Sequence, residues 1–253
     1  MGKLVLKSMH RLLIGDCTDA GNVERLMGGA RATLVFTDPP YGVSVAKKNR
    51  LLNTFQPSGR CLVDIEDDDL SPDELKVQLL AAFKNIYPHL ADDCAVFVCS
   101  PQGGGLGMMM MMMMQEACLI ARHVIIWKKN SPIFSMGRLD YDYQHEPILF
   151  AWKKTHKRIG NGTMKTSIWE VDKPRASPDH PTMKPIALPQ NAMLNHTEEN
   201  DICLDIYLGS GTTLIAAHRL NRRCYGMEIE PRYGDVILKR AEAEGLVPIL
   251  SPE

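Results

Sequence analysis

Ile202-Cys203-Leu204-Asp205-Ile206-Tyr207-Leu208-Gly209-Ser210-Gly211-Thr212-Thr213, followed closely by Cys224-Tyr225-Gly226-Met227-Glu228, is the stretch that decides the fold. The apolar run 202–206 predicts a buried strand, and glycines end it because they let the backbone turn tightly and let a ligand approach the main chain. Thr212 to Leu220 suits a helix, and Cys224 to Met227 reads as the next strand, ending at Glu228. A strand, glycine turn, helix and strand in succession form a βαβ unit, whose strands lie parallel in a sheet covered on both faces.

The same alternation extends outward in both directions. Arg11 to Ile14 and Leu34 to Thr37 read as strands with a short helix, Asn22 to Met27, between them. Residues 43–64 carry polar residues without periodicity and read as a loop. Ser71-Pro72-Asp73-Glu74 predicts a helix start: Ser at the N-cap, Pro in the first turn and acids near the positive end of the helix dipole. Ala95 to Cys99 is another strand. Gly103-Gly104-Gly105-Leu106-Gly107, ahead of the methionines Met108 to Met114, reads as a flexible turn entering an apolar helix; no acid ends the preceding strand, which argues against a cofactor loop here. His123 to Trp127 and Pro147 to Trp152 read as a pair of strands. Lys153 to Asp179 is basic and weakly structured, and helices are expected at 186–195 and 234–244.

At 253 residues and 28.3 kDa the chain fits one α/β domain over 1–253 with a small insertion at about 153–179. A hydrophobic content of 45% with 23% charged residues is ordinary for a soluble globular protein. No run is apolar for the roughly 18 residues of a membrane span, and the first residues lack the h-region of a secretory signal. The seven cysteines contain no Cys-x-x-Cys pair, so reduced, mostly buried thiols in a cytoplasmic protein are expected rather than disulfides or a metal site. The net charge of −1 gives no global attraction to a polyanion, so nucleic-acid binding would need local basic surface. Lys47-Lys48-Asn49-Arg50 and Lys153-Lys154-Thr155-His156-Lys157-Arg158 offer such runs, each also readable as a solvated loop.

Two sites carry the chemistry. About 19 residues after Gly209 stands Glu228, at the end of the next strand, a spacing that suits a carboxylate binding ribose hydroxyls. The turn lacks the third glycine of a dinucleotide fingerprint and places Asp205 before its first glycine; an acid there repels pyrophosphate but can pair with an amine. S-Adenosylmethionine, with ribose hydroxyls, an α-ammonium and no phosphate, fits better than NAD. An ordinary βα turn remains the alternative. Asp38-Pro39-Pro40-Tyr41 is stiff, because each proline fixes φ near −65° and restricts the residue before it. Such a turn can aim the Asp38 carboxylate and the Pro39 carbonyl at one –NH2 group, with Tyr41 stacked on the base that carries it. By itself the tetrapeptide is also readable as a plain turn. A base inside a duplex must be flipped out to reach such a pocket.

Gly15-Asp16-Cys17, Asp38 to Gly42, His180-Pro181-Thr182-Met183-Lys184-Pro185, Gly209 to Thr213 and Cys224 to Glu228 together resemble the DNA amino-methyltransferases, specifically their permuted β group, in which the amine motif precedes the glycine loop. The resemblance runs from about Leu12 to Arg240. It implies a circularly permuted methyltransferase fold: a three-layer α/β sandwich on a mixed, mostly parallel seven-stranded sheet with one antiparallel strand near an edge, supplied by the Val124 and Ile148 strands. It implies a catalytic site at Asp38, Pro39, Pro40 and Tyr41. It implies cofactor contacts from Asp16 and Cys17, from Asp38, from His180, Thr182 and Lys184 at the methionyl end, from Asp205, Leu208, Gly209, Ser210, Gly211, Thr212 and Thr213 in the loop, and from Glu228 at the ribose. One departure stands out: the family usually has Asp-Pro-Phe before the loop, and here it is Asp205-Ile206-Tyr207, which removes a rigid element and a cofactor-facing ring.

Asp at the head of the tetrapeptide resembles the adenine-N6 enzymes, whereas Ser resembles most cytosine-N4 enzymes. The implied function is methyl transfer from S-adenosylmethionine to an adenine N6 in double-stranded DNA, yielding S-adenosylhomocysteine without a metal. Cytosine-N4 transfer and a non-catalytic methyltransferase-like binding module are the alternatives. Lys47, Lys48, Arg138, Tyr141, His145, Lys153, Lys154, Lys157 and Arg158 are the expected DNA contacts; Arg138, Tyr141 and His145 equally suit packing of the edge strands. The resemblance also leaves room for a homodimer and a cognate restriction endonuclease, in a bacterial or phage-encoded cytoplasmic protein.

Overall fold

A computed structural model of the chain describes residues 3–6, 10–41, 70–102, 104–132, 140–173 and 183–251. Ten strands lie in chain order: β1 Lys3–Leu6, β2 His10–Ile14, β3 Ala32–Thr37, β4 Leu90–Cys99, β5 His123–Lys128, β6 His145–Trp152, β7 Ile168–Glu170, β8 Ile202–Asp205, β9 Arg223–Glu228 and β10 Pro248–Ser251. Helices α1 Ala20–Met27, α2 Pro72–Ile86, α3 Gly104–Glu116, α4 Ala187–His196, α5 Thr212–Arg219 and α6 Pro231–Ala243 connect them, with a short 3-10 turn at Tyr87–His89.

All ten strands join one sheet in the order β10-β1-β2-β9-β8-β3-β4-β6-β5-β7. Five neighbours at its centre, β2, β9, β8, β3 and β4, run parallel. β6 is antiparallel to both β4 and β5, so the expected antiparallel strand lies near that edge. The expected count of seven is corrected to ten. β7 pairs parallel with β5, and β1 and β10 extend the opposite edge as antiparallel partners. β7 also corrects the reading of 153–179 as weakly structured: Trp169 is buried there, and its neighbour Val171 accepts the Trp127 indole N–H at 2.7 Å.

Alternating residues face opposite layers, as the two-residue period of a strand requires. Leu13, Val35, Val96, Val98, Leu204 and Met227 pack under α1, α2 and α3, while Leu12, Leu34, Phe36, Phe97, Cys203 and Cys224 pack under α4, α5 and α6. The strands therefore read as continuous apolar runs because both faces are covered.

Local chemistry fixes the helix ends. Ser71 and Glu74 form a reciprocal capping box at α2, with Pro72 in its first turn. Asp19 caps α1 by accepting from Gly21 N–H, and Gly28 ends it at φ 53°. The glycines before the methionine run were expected in a turn, yet Gly104 to Gly107 lie inside α3. A Cβ at Gly107 would stand 3.3 Å from the Pro101 carbonyl, so a small residue lets the first turn of α3 sit close to the end of β4. Met110, Met113 and Met114 are buried at helical spacing, while Met108 and Met112 face outward. An ion pair, Lys84 with Glu116 at 3.2 Å, links α2 to α3.

Five of the six described cysteines, Cys17, Cys94, Cys99, Cys203 and Cys224, are buried and free, and Cys118 is exposed. Among the described residues no helix is long and apolar enough to cross a membrane.

Candidate active site

Beyond β3 the sheet is built outward in two directions, through β4 on one side and β8 on the other. The carboxyl ends of β3 and β8 flank that division, the position at which an open α/β sheet leaves a crevice for ligands. Asp38 follows β3 and the glycine loop follows β8, so motifs remote in sequence meet there. A direct tie joins them: Thr37 Oγ1, at the end of β3, donates to Asp205 Oδ1, at the end of β8, over 2.8 Å.

Asp205 is 4% exposed, and its carboxylate is used by the fold. Oδ2 accepts from Thr213 Oγ1 at 2.6 Å and Oδ1 also accepts from Tyr207 N–H at 3.2 Å. Burial pushes its pKa up to about 6 even though Thr213 and Thr37 donate to it. Asp205 thus pins the first turn of α5 to two strand ends. Ile206, where the resembling family has proline, is buried in the core; the stiffness that a proline would supply comes here from packing and from the Asp205 bonds.

Gly209 and Gly211 adopt φ of 54° and 84°, the left-handed region that favours glycine. Gly209 N–H donates to Glu228 Oε2 at 2.7 Å, and Glu230 N–H donates to Oε1 at 3.0 Å. Each Glu228 oxygen thereby keeps a lone pair for a further donor. Burial pushes the Glu228 pKa up to about 7, against the pull of those two backbone donors. Leu208 covers Gly226, where an added Cβ would stand 2.5 Å from Leu208 Cδ2. Ser210 takes the Arg240 guanidinium on its carbonyl and its hydroxyl. Asp16 lies after β2, whose partner is β9; its two oxygens accept from Thr18 N–H and Thr18 Oγ1, each at 2.7 Å. The Cys17 side chain is buried, and its carbonyl accepts from Asn85 at 3.1 Å.

Around Asp38 the polar groups interlock. Tyr41 O–H donates to Asp38 Oδ1 at 2.9 Å, and Lys184 Nζ lies 2.7 Å from Asp38 Oδ2. Lys184 Nζ is also 3.2 Å from Glu146 Oε2, and Glu146 Oε1 pairs with the buried Lys129. Burial works against the charge on Lys184, but the Asp38 and Glu146 carboxylates outweigh it and raise its pKa. Burial likewise pushes Glu146 up, and Lys184 and Lys129 overcome this and hold it below its ordinary value. Burial and the neighbouring Asp38 push the Tyr41 phenol well above its usual pKa, so it is a neutral donor. Pro39 is buried, which fixes the turn. Thr212 Oγ1 donates to the Lys184 carbonyl at 3.4 Å, linking this cluster to the glycine loop.

The structure therefore brings together Asp16, Asp38, Tyr41, Lys184, Asp205, Leu208, the loop Gly209 to Thr213, and Glu228. His180 and Thr182 lie outside the described residues, as do Lys47, Lys48 and Arg138. The basic run after β6 is not part of the cluster. Because β6 is antiparallel, its carboxyl end sits at the opposite end of the sheet from Asp38. There Lys153 donates to the Leu90 carbonyl at 2.9 Å, Lys154 pairs with Asp92 at 2.8 Å and Lys157 with Asp201 at 2.9 Å. Arg158 is exposed at that same end. The amino end of β6 points the other way, and carries His145 and the 87% exposed Tyr141 toward the site. Sequence reasoning missed Glu146 and Lys129. The sequence shows only an acid and a lysine at the ends of two apolar strands, each needing a partner once buried, and it is the fold that singles them out.

The donor set fits a nucleoside with ribose hydroxyls and no phosphate. Glu228 presents spare acceptors, the glycine backbone allows close approach, and the nearby Arg240 is spent on Ser210. Among the described residues no group of three or more His, Cys, Asp or Glu side chains is arranged to hold a metal ion.

Residues 32–239 match the model of the N6/N4 methyltransferase family, described as DNA methylase. The Type II methyltransferase M2.DpnII of Streptococcus pneumoniae is 32% identical over 137 residues, which are 47% of this chain and 50% of that protein. The Type II methyltransferase M.HinfI of Haemophilus influenzae is 26% identical over 257 residues, covering 92% of this chain and 68% of that protein. The matches thus span half of the first relative and about two thirds of the second. Among solved structures, the M1.HpyAVI–SAM complex has a TM-score of 0.64 at 22% identity, covering 92% of this chain and 100% of that one. The cytosine-N4-specific PvuII DNA methyltransferase has a TM-score of 0.68 at 18% identity, covering 92% of this chain and 86% of that one. Both share the fold.

Proposed function

Because this chain belongs to the N6/N4 family of DNA methylases, we propose that it transfers a methyl group from S-adenosylmethionine to the N6 amine of an adenine flipped out of double-stranded DNA. The observation that carries this reading is the placement of Asp38, beside the glycine loop, joined to it through Thr37 and Asp205, and approached by both Tyr41 and Lys184.

When bound, S-adenosylmethionine supplies an electrophilic sulfonium methyl. Glu228 would accept the ribose hydroxyls on the lone pairs that Gly209 and Glu230 leave open. Leu208, Ser210, Thr212 and Thr213 would wall the site with the glycine backbone, Asp16 and Cys17 would face the adenine, and Lys184 would pair with the carboxylate. His180 and Thr182 are proposed to share that methionyl end. The Asp38 carboxylate and the Pro39 carbonyl would accept the two hydrogens of the target amine, which holds its nitrogen lone pair toward the methyl. The Tyr41 ring would stack on the flipped base, a contact worth about 1–3 kcal/mol where bases stack on aromatics.

Asp38 is what favours adenine over cytosine, since the fold itself is shared with a cytosine-N4-specific enzyme. Tyr141 and His145 are proposed to face DNA, with Lys47, Lys48 and Arg138. A modification role beside a restriction endonuclease is a further part of this reading, in keeping with the Type II methyltransferases among the relatives, and a homodimer and a cytoplasmic location are proposed with it. Isothermal titration with S-adenosylmethionine separates the enzyme from a non-catalytic module: saturable binding at one site per chain is expected, and an absence of binding sinks the enzyme reading.

A further inference from the structure

Lys129, Glu146, Lys184 and Asp38 form a continuous row of alternating charges that ends at the amine site. Their surroundings differ in rigidity. Glu146 is the second residue of β6, a strand hydrogen-bonded on both sides, and Lys129 directly follows β5. The Lys129 backbone is itself fixed: its N–H donates to the Gln144 carbonyl at 2.9 Å, and its carbonyl accepts from the Gln144 amide at 3.0 Å. Lys184 instead lies in the irregular residues 183–185, ahead of α4. The pair Lys129–Glu146 is thus a fixed post, and Lys184 is the arm it holds.

The post solves a conflict. Both Asp38 oxygens are taken in this structure, one by Tyr41 and one by Lys184. Each oxygen keeps a further lone pair, but the Lys184 ammonium competes with an incoming amine for the charge of the carboxylate, so the amine binds Asp38 more strongly when Lys184 moves off it. Releasing Lys184 without another partner would leave a buried ammonium unpaired, which is strongly disfavoured. Glu146, already 3.2 Å from Nζ, is the partner the protein itself supplies, beside the cofactor carboxylate proposed above for Lys184. Lys129 in turn keeps Glu146 ionised and aimed, its ammonium seated 4.9 Å from the centre of the Trp127 ring.

We infer that Glu146, braced by Lys129, is a positioning residue of the methyl-transfer site, holding Lys184 so that Asp38 can be handed over to the target amine. The inference rests on the proposed amine methylation for its kinetic consequence, and on the geometry alone for the hold on Lys184.

The test uses the full chain with Glu146→Gln, Lys129→Met and Lys129→Arg. Its first arm needs no substrate: reductive methylation with formaldehyde and a borane reductant, with modification of each lysine followed by peptide mass spectrometry. Glu146→Gln should make Lys184 react about fivefold faster or more while exposed Lys239 is unchanged, because one of two carboxylates holding the ammonium is gone. The second arm is steady-state methyl transfer to DNA. Glu146→Gln should lower kcat about tenfold or more while KM for S-adenosylmethionine moves less than about threefold, the pattern of a group that acts on the reacting geometry. Lys129→Met should follow Glu146→Gln, and Lys129→Arg should restore most of the loss; this pair also decides the matter if Glu146→Gln does not fold. Unchanged Lys184 reactivity, or faster reaction of Lys184 with unchanged kcat, overturns the inference. A wild-type chain that transfers no methyl group overturns the functional reading instead, and the labelling arm alone then decides whether Glu146 holds Lys184.

Discussion

Gly209 N–H donates to Glu228 Oε2 over 2.7 Å, so the glycine loop after β8 and the acid that ends β9 are one unit rather than two motifs. Burial outweighs that contact and makes Glu228 a pH-sensitive part of the nucleoside site. Its carboxyl titrates at about 7 in the free protein. The ionised form accepts hydroxyl hydrogens more strongly than the protonated one. Affinity for S-adenosylhomocysteine should therefore rise by up to about tenfold as pH increases from about 6 to about 8, and Glu228→Gln should bind more weakly with little pH dependence. Isothermal titration across that range checks this, and a flat wild-type profile would contradict it.

Gly226 and Leu208 define the fit between β9 and the loop. Alanine at 226 would place its Cβ 2.5 Å from Leu208 Cδ2, in a site where Leu208 is 3% exposed. Gly226→Ala should cost about 1–3 kcal/mol of stability in urea denaturation, the usual penalty of overpacking. Combined with Leu208→Ala it should cost less than the sum of the two single changes, because the second makes room for the first. Strict additivity would show that the two do not share this space.

DNA should be contacted at the carboxyl end of the parallel strands. Lys154 lies at the other end and is paired with Asp92. Lys154→Gln should leave duplex affinity and its salt slope unchanged, whereas removal of a true phosphate contact lowers that slope by about 1. Tyr141→Ala should weaken binding by about 1 kcal/mol or more, as loss of an aromatic contact to a base does. Fluorescence anisotropy across a salt series measures both, and a reduced slope for Lys154→Gln would return the basic run to the interface.

His10 gives stability a defined acid limit. It is 1% exposed, accepts from Cys224 N–H on Nδ1 at 3.0 Å and faces His218 across 3.4 Å. Burial, with His218 adding to it, lowers its pKa from 6.5 to about 4. The folded chain thus keeps this ring neutral while the unfolded chain takes up a proton below 6.5. The contribution is complete above pH 6.5 and is lost as pH falls toward about 4, by up to about 3 kcal/mol in all. Urea midpoints measured between those pH values should show the decline, and His10→Asn should flatten part of it.

Most of the sheet was legible because its central strands are buried on both faces and leave uninterrupted apolar runs, such as Leu34 to Phe36 and Ala95 to Cys99. β1, β7 and β10 escaped notice for the opposite reason. They are strands of three or four residues at or beside the sheet edges, and the β1–β10 and β5–β7 pairings join segments distant in sequence. Gly104 to Gly107 were misassigned because glycine propensity was outweighed by the methionines that follow and by close approach to Pro101. Within the candidate site, Asp38 and Glu228 were readable from type and spacing, and Lys184 only through the family resemblance. Glu146 and Lys129 were not, since what singles them out is convergence on Lys184, a property of the fold. The distance of the basic run at Lys153 from the site was not legible, because composition shows charge but neither which end of the sheet carries it nor the acids that pair with Lys154 and Lys157.

Methyl transfer to DNA is the central claim, and Asp38 is its centre. Unmethylated DNA incubated with the full chain and S-adenosylmethionine carrying a tritiated methyl group, then digested to nucleosides, reports both the reaction and the base. Label in N6-methyl-2′-deoxyadenosine with the wild-type chain, lost with Asp38→Ala, is the predicted result. Label on cytosine, or transfer that persists without the Asp38 carboxylate, would contradict it.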